Sequence, residues 1–511
     1  MCFQRFAVIA VSALLAVPAL AQYRDDVPRT DQKVVLSLDD ALRIALSENV
    51  SVKVADMEIR RQEYARKGTY ASLFPQVSAS GMYSYALKKQ KVYFGSDRED
   101  DDKKSSGGGM AGMMASLMDP IMHYINQLVA LHPGQVTPYI PETTDNTSSS
   151  SEPMEMGRTH SVTFGLSASM PLVNFQLWEN LRLSGDQVEL TVEKARESRL
   201  GMVTSVKQAY YAVLMAKEAY NVYNSVYENA VENFRLTEMR HNAQKASELD
   251  YIRAQSNVAA AIPNLYNSEN AISIALWQLK AVIGMDLDTD IDIEGSLADY
   301  ADHMFYDLQE GEHADLSGNT QLRQLASQAE MLSRQIRMQQ YAYLPTLAMS
   351  FSYSYLSQSD MFNLSQWRWF PSSTIGLSLS IPIFSGGQRY HAVKQARIQA
   401  DELDLQRINT ERQLRIGIRQ SLSTMETAMK TYDSSREALR SAEKAYDIAT
   451  KSYQVGRNTL TDLNNTELVL TQSRLAVSQA IYNFVVAKAG LEQTLGYEFL
   501  DDAGNVDLQN R

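Results

Sequence analysis

Asp250 and Asp462 stand about 212 residues apart, each just past a short polar break between two helix-forming stretches. A carboxylate at a helix start caps the free backbone amides and meets the positive end of the helix dipole. Several copies gathered at a narrow point would instead repel anions, hold cations and raise one another's pKa. Residue type and spacing leave both roles open at Asp250 and Asp462. A second cluster of reactive atoms is Met110, Met113, Met114, Met118 and Met122, with His123 beside them. Thioethers suit soft Cu(I) or Ag(I), but an apolar loop helix is the simpler use of such residues. There is no His-Glu-x-x-His, no nucleophile elbow and no phosphate-binding loop, and the seven histidines are scattered. That pattern argues against an enzyme, and no cofactor or metal set is expected.

The elements that position these residues follow from composition and periodicity. The chain has 511 residues and a formal net charge of -12, which disfavours nucleic acid as a partner. Arg5, the apolar run from Phe6 to Leu20 and the small-residue site Ala19-Leu20-Ala21 read as a signal segment, 1–21, leaving Gln22 first. The one cysteine, Cys2, lies within it. No later stretch approaches ~20 consecutive apolar residues, so any membrane crossing must use strands.

An internal duplication organises the remainder. Phe74 to Tyr85 aligns without gaps on Leu344 to Tyr355, at an offset of about 270. Phe164 to Leu172 aligns on Ile375 to Ile383, at an offset of about 211. All four segments alternate with period two. Val77, Ala79, Tyr83 and Tyr85 share a face opposite Gln76, Ser78, Ser80 and Ser84. Strands are expected near 74–87, 162–172, 344–356 and 373–384. Their polar faces are almost wholly uncharged Ser and Thr, where a solvated sheet would carry Lys and Glu. The pattern fits membrane strands with one face on lipid and one on a lumen, about ten residues per crossing. Four strands cannot close a barrel, and an open edge in lipid is forbidden, so the barrel must be shared between subunits.

Helices of some sixty residues are expected over 177–241 and 388–453, where proline is absent and glycine rare. Such lengths imply a coiled coil. Shorter helices follow at 248–284 and 460–496, and others precede each strand pair at 38–70 and 319–341. One of each short kind, end to end, nearly equals a long one, as in paired staves. The chain thus divides into a first repeat, 22–284, with a long outer loop at 88–160, an equatorial segment, 285–317, a second repeat, 318–496, and a tail, 497–511. Trp367, Trp369 and Phe370, in the second loop, suit the headgroup interface.

Gly376-Leu-Ser-Leu-Ser-Ile-Pro-Ile-Phe-Ser-Gly-Gly387, its weaker twin at Gly165, and Tyr453-Gln-Val-Gly456 followed by Thr459, Asp462 and Leu495-Gly496 carry a resemblance. The chain resembles the TolC family of outer-membrane efflux proteins over nearly the whole mature length. The resemblance implies a mainly α fold with a transmembrane β-barrel: four strands per protomer, shared in a homotrimer as a twelve-stranded barrel on a long α-helical coiled-coil tunnel. It implies a small-molecule exit duct in outer-membrane lipid, with its tunnel in the periplasm. The partners implied are a periplasmic adaptor protein and an inner-membrane efflux transporter of RND or ABC type. A gate is implied at the helical turns, where Tyr453 and Asp462 match family positions. Arg457 sits one place earlier than the family pattern, and Asn465 replaces a second acidic residue. In the first copy the same place reads Lys245, Glu248 and Asp250. A protein-secretion duct and a soluble periplasmic coiled-coil scaffold are the alternatives.

Overall fold

The alternation of serine with apolar residues becomes a sheet whose register sorts them by face. The structure is a computed structural model and describes residues 34–92, 154–304, 315–362 and 367–497. They fall into two compact units, a strand unit over 74–173 and 347–379 and a helical unit from the rest. The units cut across the two sequence repeats.

β1 (Val34–Leu36) belongs to the helical unit; in the strand unit, β2 (Gln76–Tyr85) opens a four-stranded sheet. It is followed by β5 (His160–Val173), β7 (Thr346–Ser359) and β8 (Trp369–Ser380), in the order β2-β5-β7-β8. β2 with β5, and β5 with β7, run antiparallel. Register carries the serines across: Ser78 faces Ser167, which faces Ser352. Ser169 faces Ser350 in the same way. The Ser78 and Ser167 hydroxyls are 2.8 Å apart, and those of Ser354 and Ser372 are 2.9 Å apart. The opposite face carries Tyr83, Phe164, Leu166, Phe351, Tyr355, Leu377 and Leu379, each more than a third exposed. Period-two geometry alone separates the two sets.

The strands differ in extent from the periodicity reading. β7 runs on to Ser359, and β8 begins at Trp369, so Trp369 and Phe370 lie in a strand and not in the loop. β8 stops at Ser380, ahead of Ile381-Pro382, where proline restricts its predecessor and lacks an amide. A short ladder of β3 (Gln90–Val92) with β4 (Met154–Met156) extends the first hairpin into what reads as loop. Asp360 gathers the strand ends beside it. Its carboxylate accepts from Lys89 at 2.8 Å, Arg158 at 2.7 Å and the Thr159 amide at 3.0 Å.

The helical unit is built on two long helices, α3 (Phe175–Asn242, 68 residues) and α6 (Gln388–Gln454, 67 residues). Each is about 100 Å long at 1.5 Å per residue. Shorter helices pack along them: α1 (Leu38–Glu48), α2 (Val50–Ala71), α4 (Glu248–Ile283), α5 (Thr320–Tyr341) and α7 (Leu460–Leu495). β1 pairs in parallel with β6 (Ile291–Ile293), and a 3-10 helix follows at Leu297–His303. These pieces close over a core drawn from both repeats, including Leu42, Val206, Tyr210, Leu279, Met425, Phe484 and Leu491. The Tyr210 hydroxyl donates to the Glu294 carbonyl at 2.5 Å, tying the 285–317 segment to α3.

The helix expected over 38–70 is two helices, and the break explains how short helices stack. Asn49 is extended (φ -63°, ψ 132°), ending α1 and capping α2. Its Oδ1 accepts from the Ser51 amide at 2.7 Å, and its Nδ2 donates to the Val282 carbonyl at 2.7 Å. One side chain thus satisfies a free amide at the start of α2 and a free carbonyl at the end of α4. Asn319, at an offset of 270, does the same between α7 and α5: it accepts from Leu322 at 3.1 Å and donates to the Thr494 carbonyl at 2.7 Å. The close approach needs glycine after α4. Gly284 has φ +88°, and a Cβ there would lie 3.1 Å from the Asn49 Cα. Replacing Asn49 or Asn319 by alanine orphans two backbone groups and should cost about 1–3 kcal/mol each. The two losses should be alike in equilibrium denaturation, since the two joints are copies. A cost at one joint and none at the other would contradict this.

Candidate functional site

The two turns at the helix ends use one design twice. Each long helix closes with a backward amide bond, Lys245 N to Arg240 O at 2.7 Å and Arg457 N to Ser452 O at 2.8 Å. Each turn needs a left-handed residue. Gly456 supplies it at φ +75°, and Gln244 is forced into it at φ +58°, 212 residues earlier. The next helices start at Ser247 and Thr459, whose side chains accept from the amides of Asp250 and Asp462.

That design settles what the two aspartates touch. The Asp462 carboxylate accepts from the Thr459 hydroxyl at 2.7 Å and from its amide at 3.3 Å, a reciprocal capping box. Asp250 accepts from the Ser247 hydroxyl at 2.7 Å. Both therefore cap helices within one chain, and the Asp462 side chain remains exposed. Glu248, Lys245, Arg457 and Asn465 are exposed as well. Within the chain nothing gathers these groups around a common point.

Tyr453 is different: it is buried, 6% exposed, where α3 and α6 meet. Its hydroxyl lies 2.5 Å from Thr237 Oγ1. The Thr237 hydroxyl donates to the Asn233 carbonyl at 2.7 Å, so Tyr453 is the donor to Thr237. The partner arginine is Arg240, from the last turn of α3. Its guanidinium stacks 4.9 Å from the Tyr453 ring centroid and donates to the Tyr453 carbonyl at 2.8 Å. A further contact reaches the Gln454 carbonyl. These are the last carbonyls of α6, the negative end of its dipole, so a cation from the neighbouring helix is favoured there. Ala254, Ala449, Leu460 and Leu463 bury the ring side.

Arg240 and Thr237 were not legible from the tyrosine's own neighbourhood in sequence. The repeat carried the signal. At the 212 offset, Thr237 aligns with Ala449 and Arg240 with Ser452, so the two copies differ where the link forms. On the other turn His241 replaces the tyrosine and stacks on Tyr251, centroids 5.1 Å apart.

Among the interface aromatics, Trp369 packs 5.8 Å from Phe164 and 6.4 Å from Trp367. Phe370 is exposed, 58%. No helix among the described residues is long and apolar enough to cross a membrane. The methionine cluster at 110–122, the signal segment and all but the first residue of the tail at 497–511 lie outside the described residues.

Residues 142–285 and 313–497 match the outer membrane efflux protein family. The chain is 23% identical to the alkaline protease secretion protein AprF of Pseudomonas aeruginosa over 243 residues, 47% of this chain and about half, 50%, of AprF. It is 22% identical to the outer membrane protein TolC of Escherichia coli over 347 residues, 65% of this chain and 68% of TolC. Among solved structures, the CmeC outer membrane channel of Campylobacter jejuni superposes with a TM-score of 0.65 at 16% identity, covering 90% of this chain and 85% of that one. The open state of the MtrE channel of Neisseria gonorrhoeae gives 0.63 at 16%, covering 90% and 88%. At such identities the superpositions speak for the fold.

Proposed function

The chain belongs to the outer membrane efflux protein family, and from that premise we propose that three copies form one exit duct: a shared barrel in the outer membrane and a helical tunnel in the periplasm. One observation carries this reading. The sheet ends in two unpaired edge strands, β2 and β8, with one face apolar and exposed and the other lined by serine. Such a sheet is incomplete alone, and three copies supply about twelve strands, enough to close. Apolar stripes left open on the staves support it. Val50, Val54, Met57 and Tyr64 mark α2; Ile398, Leu405, Ile408 and Ile416 mark α6. Against neighbouring copies these would form the walls of a coiled-coil tunnel.

The duct performs no catalysis in this reading. It passes drugs or other small molecules delivered by an inner-membrane transporter through a periplasmic adaptor. The division into repeats 22–284 and 318–496, joined by an equatorial segment, follows the same scheme. AprF is an alkaline protease secretion protein, which favours protein cargo as the second reading.

The turns are the candidate gate. The Arg240–Tyr453–Thr237 link holds the end of α6 to α3, and three Asp462 carboxylates set the charge of the opening. Because Asp462 also caps α7, asparagine is the discriminating substitution: it keeps an acceptor for Thr459 and removes the charge. Asp462→Asn, like Asp462→Ala, should raise single-channel conductance or blunt divalent-cation block in planar bilayers. Unchanged currents in both variants would reduce Asp462 to its capping role.

A further inference from the structure

Glu467 sits two turns into α7, where that helix meets α3 and α6, and only 8% of it is exposed. Asn229 of α3 and Tyr446 of α6 are its hydrogen-bonding neighbours. The carboxyl's Oε1 is buried without a partner. The residue lines a cleft of about 410 Å³ whose walls include Asn233, Asn257, Asn264, Asn464 and Gln472. Glu467 is the only ionisable carboxyl or cation in that lining. A buried carboxylate with no cation and an empty acceptor is costly; a neutral carboxylic acid is not.

The groups that face it supply hydrogen bonds but no positive charge. On α3 the facing groups are Asn229 and Asn233, with the Tyr223 phenol also in the cleft wall, and on α4 the cleft contributes Asn257 and Asn264; none is a cation. On α6 the facing titratable group is Tyr446, whose own pKa is pushed up to about 12, first by burial and then by Glu467. Arg474 on α7 acts on Tyr446 and lies 4.0 Å from Glu443 of α6.

We propose that Glu467 is a proton-operated latch: as the neutral acid it lets α7 seat against α3 and α6, and as the carboxylate it loosens that seam. Burial raises its pKa, with the Asn229 and Tyr446 hydrogen bonds opposing. A raised pKa in the seated state means that this state binds the proton more tightly than the loosened one. Seating is therefore fully supported below the ordinary carboxyl range and is lost as pH rises through the raised value. The seam lies just above the Tyr453 cluster, so its loosening would free the end of α6. The latch stands on the junction's geometry; its effect on passage alone rests on the duct reading.

The test uses the full chain with Cys2→Ser and spin labels at Val231→Cys on α3 and Val469→Cys on α7, both exposed sites. Interspin distances are measured from about pH 5 to about pH 9. One narrow distribution is expected at the acid end. A longer, broader one should grow with pH, up to tenfold per pH unit while it is the minor species. Glu467→Gln should stay narrow throughout. Tyr446→Phe, lacking the donor that favours the carboxylate, should move the transition to higher pH. A wild-type distribution that ignores pH, a transition that survives in Glu467→Gln, or a downward shift in Tyr446→Phe overturns the latch. Conductance of the same variants reports separately on the duct: a pH-dependent seam with pH-independent currents would keep the latch and remove its role in passage.

Discussion

Replacing Glu179 by alanine is expected to cost about 3 kcal/mol of folding stability, near the low end for breaking a buried ion pair. Glu179 is 1% exposed at the top of α3. Its carboxylate meets Arg337 at 3.1 Å and Arg334 at 3.6 Å, both from α5, and Arg182 of its own helix at 3.3 Å. The low end applies because the arginines keep other partners: Arg334 reaches Asp186 and Glu330, and Arg337 reaches Glu330. Glu179, Asp186 and Glu193 recur every seven residues, so they form one stripe facing α5. Glu193 continues it to Arg323 at 2.6 Å. This stripe joins the long helix of the first repeat to a short helix of the second. Equilibrium denaturation in detergent, followed by helical circular dichroism, should show the loss. Glu179→Gln, which retains an acceptor, should lose less. Equal losses would mean that packing at this site, and not charge, holds the helices.

The second large effect is expected in the sheet, between adjacent residues. Leu377 lies on the apolar face of β8 and is 69% exposed. Ser378 lies on the serine face, its hydroxyl toward the Ala348 carbonyl at 3.5 Å. If the apolar face meets lipid, Leu377→Arg costs about 2–4 kcal/mol per copy near the bilayer midplane. Three copies multiply that, and the protein should vanish from the outer-membrane fraction. Ser378→Arg puts the same charge into the lumen. That variant should assemble and shift the reversal potential toward anions. Loss of both variants, or survival of Leu377→Arg, would contradict the assignment of faces.

The faces and long helices were legible because they rest on periodicity. Ser78, Ser80, Ser352 and Ser354 alternate with apolar residues, and a run of sixty residues without proline has few folds open to it. The limits of elements were less legible. Trp369 and Phe370 read as loop because the period-two pattern is clear only from Thr374 on, yet β8 takes in Pro371: it is an edge strand, where a missing amide is tolerated. Asn49 was hidden because its neighbours Val50, Val54 and Met57 carry helical spacing straight through. Only its tertiary partner, the Val282 carbonyl, reveals why the chain breaks there. The shared 270 offset of Asn49 and Asn319 was available in the sequence.

At the turns, residue types pointed to the helix caps and named no partner for Tyr453. Asp462 and Asp250 are helix caps whatever else they do, since local hydrogen bonding is satisfied within three residues. The tyrosine link depends on which long helix lies beside Tyr453, a contact between residues more than 200 apart, and periodicity carries no such information. Arg240 reaches the carbonyl end of α6 from the last turn of α3, while Arg457 is exposed.

The central claim is that an unclosed sheet becomes a barrel by assembly in the outer membrane. Native mass spectrometry of protein extracted in mild detergent from purified outer membranes tests it most directly. A single species of three protomers is expected, with no monomer until the detergent denatures the helices. A monomer recovered from the soluble periplasmic fraction would contradict the claim.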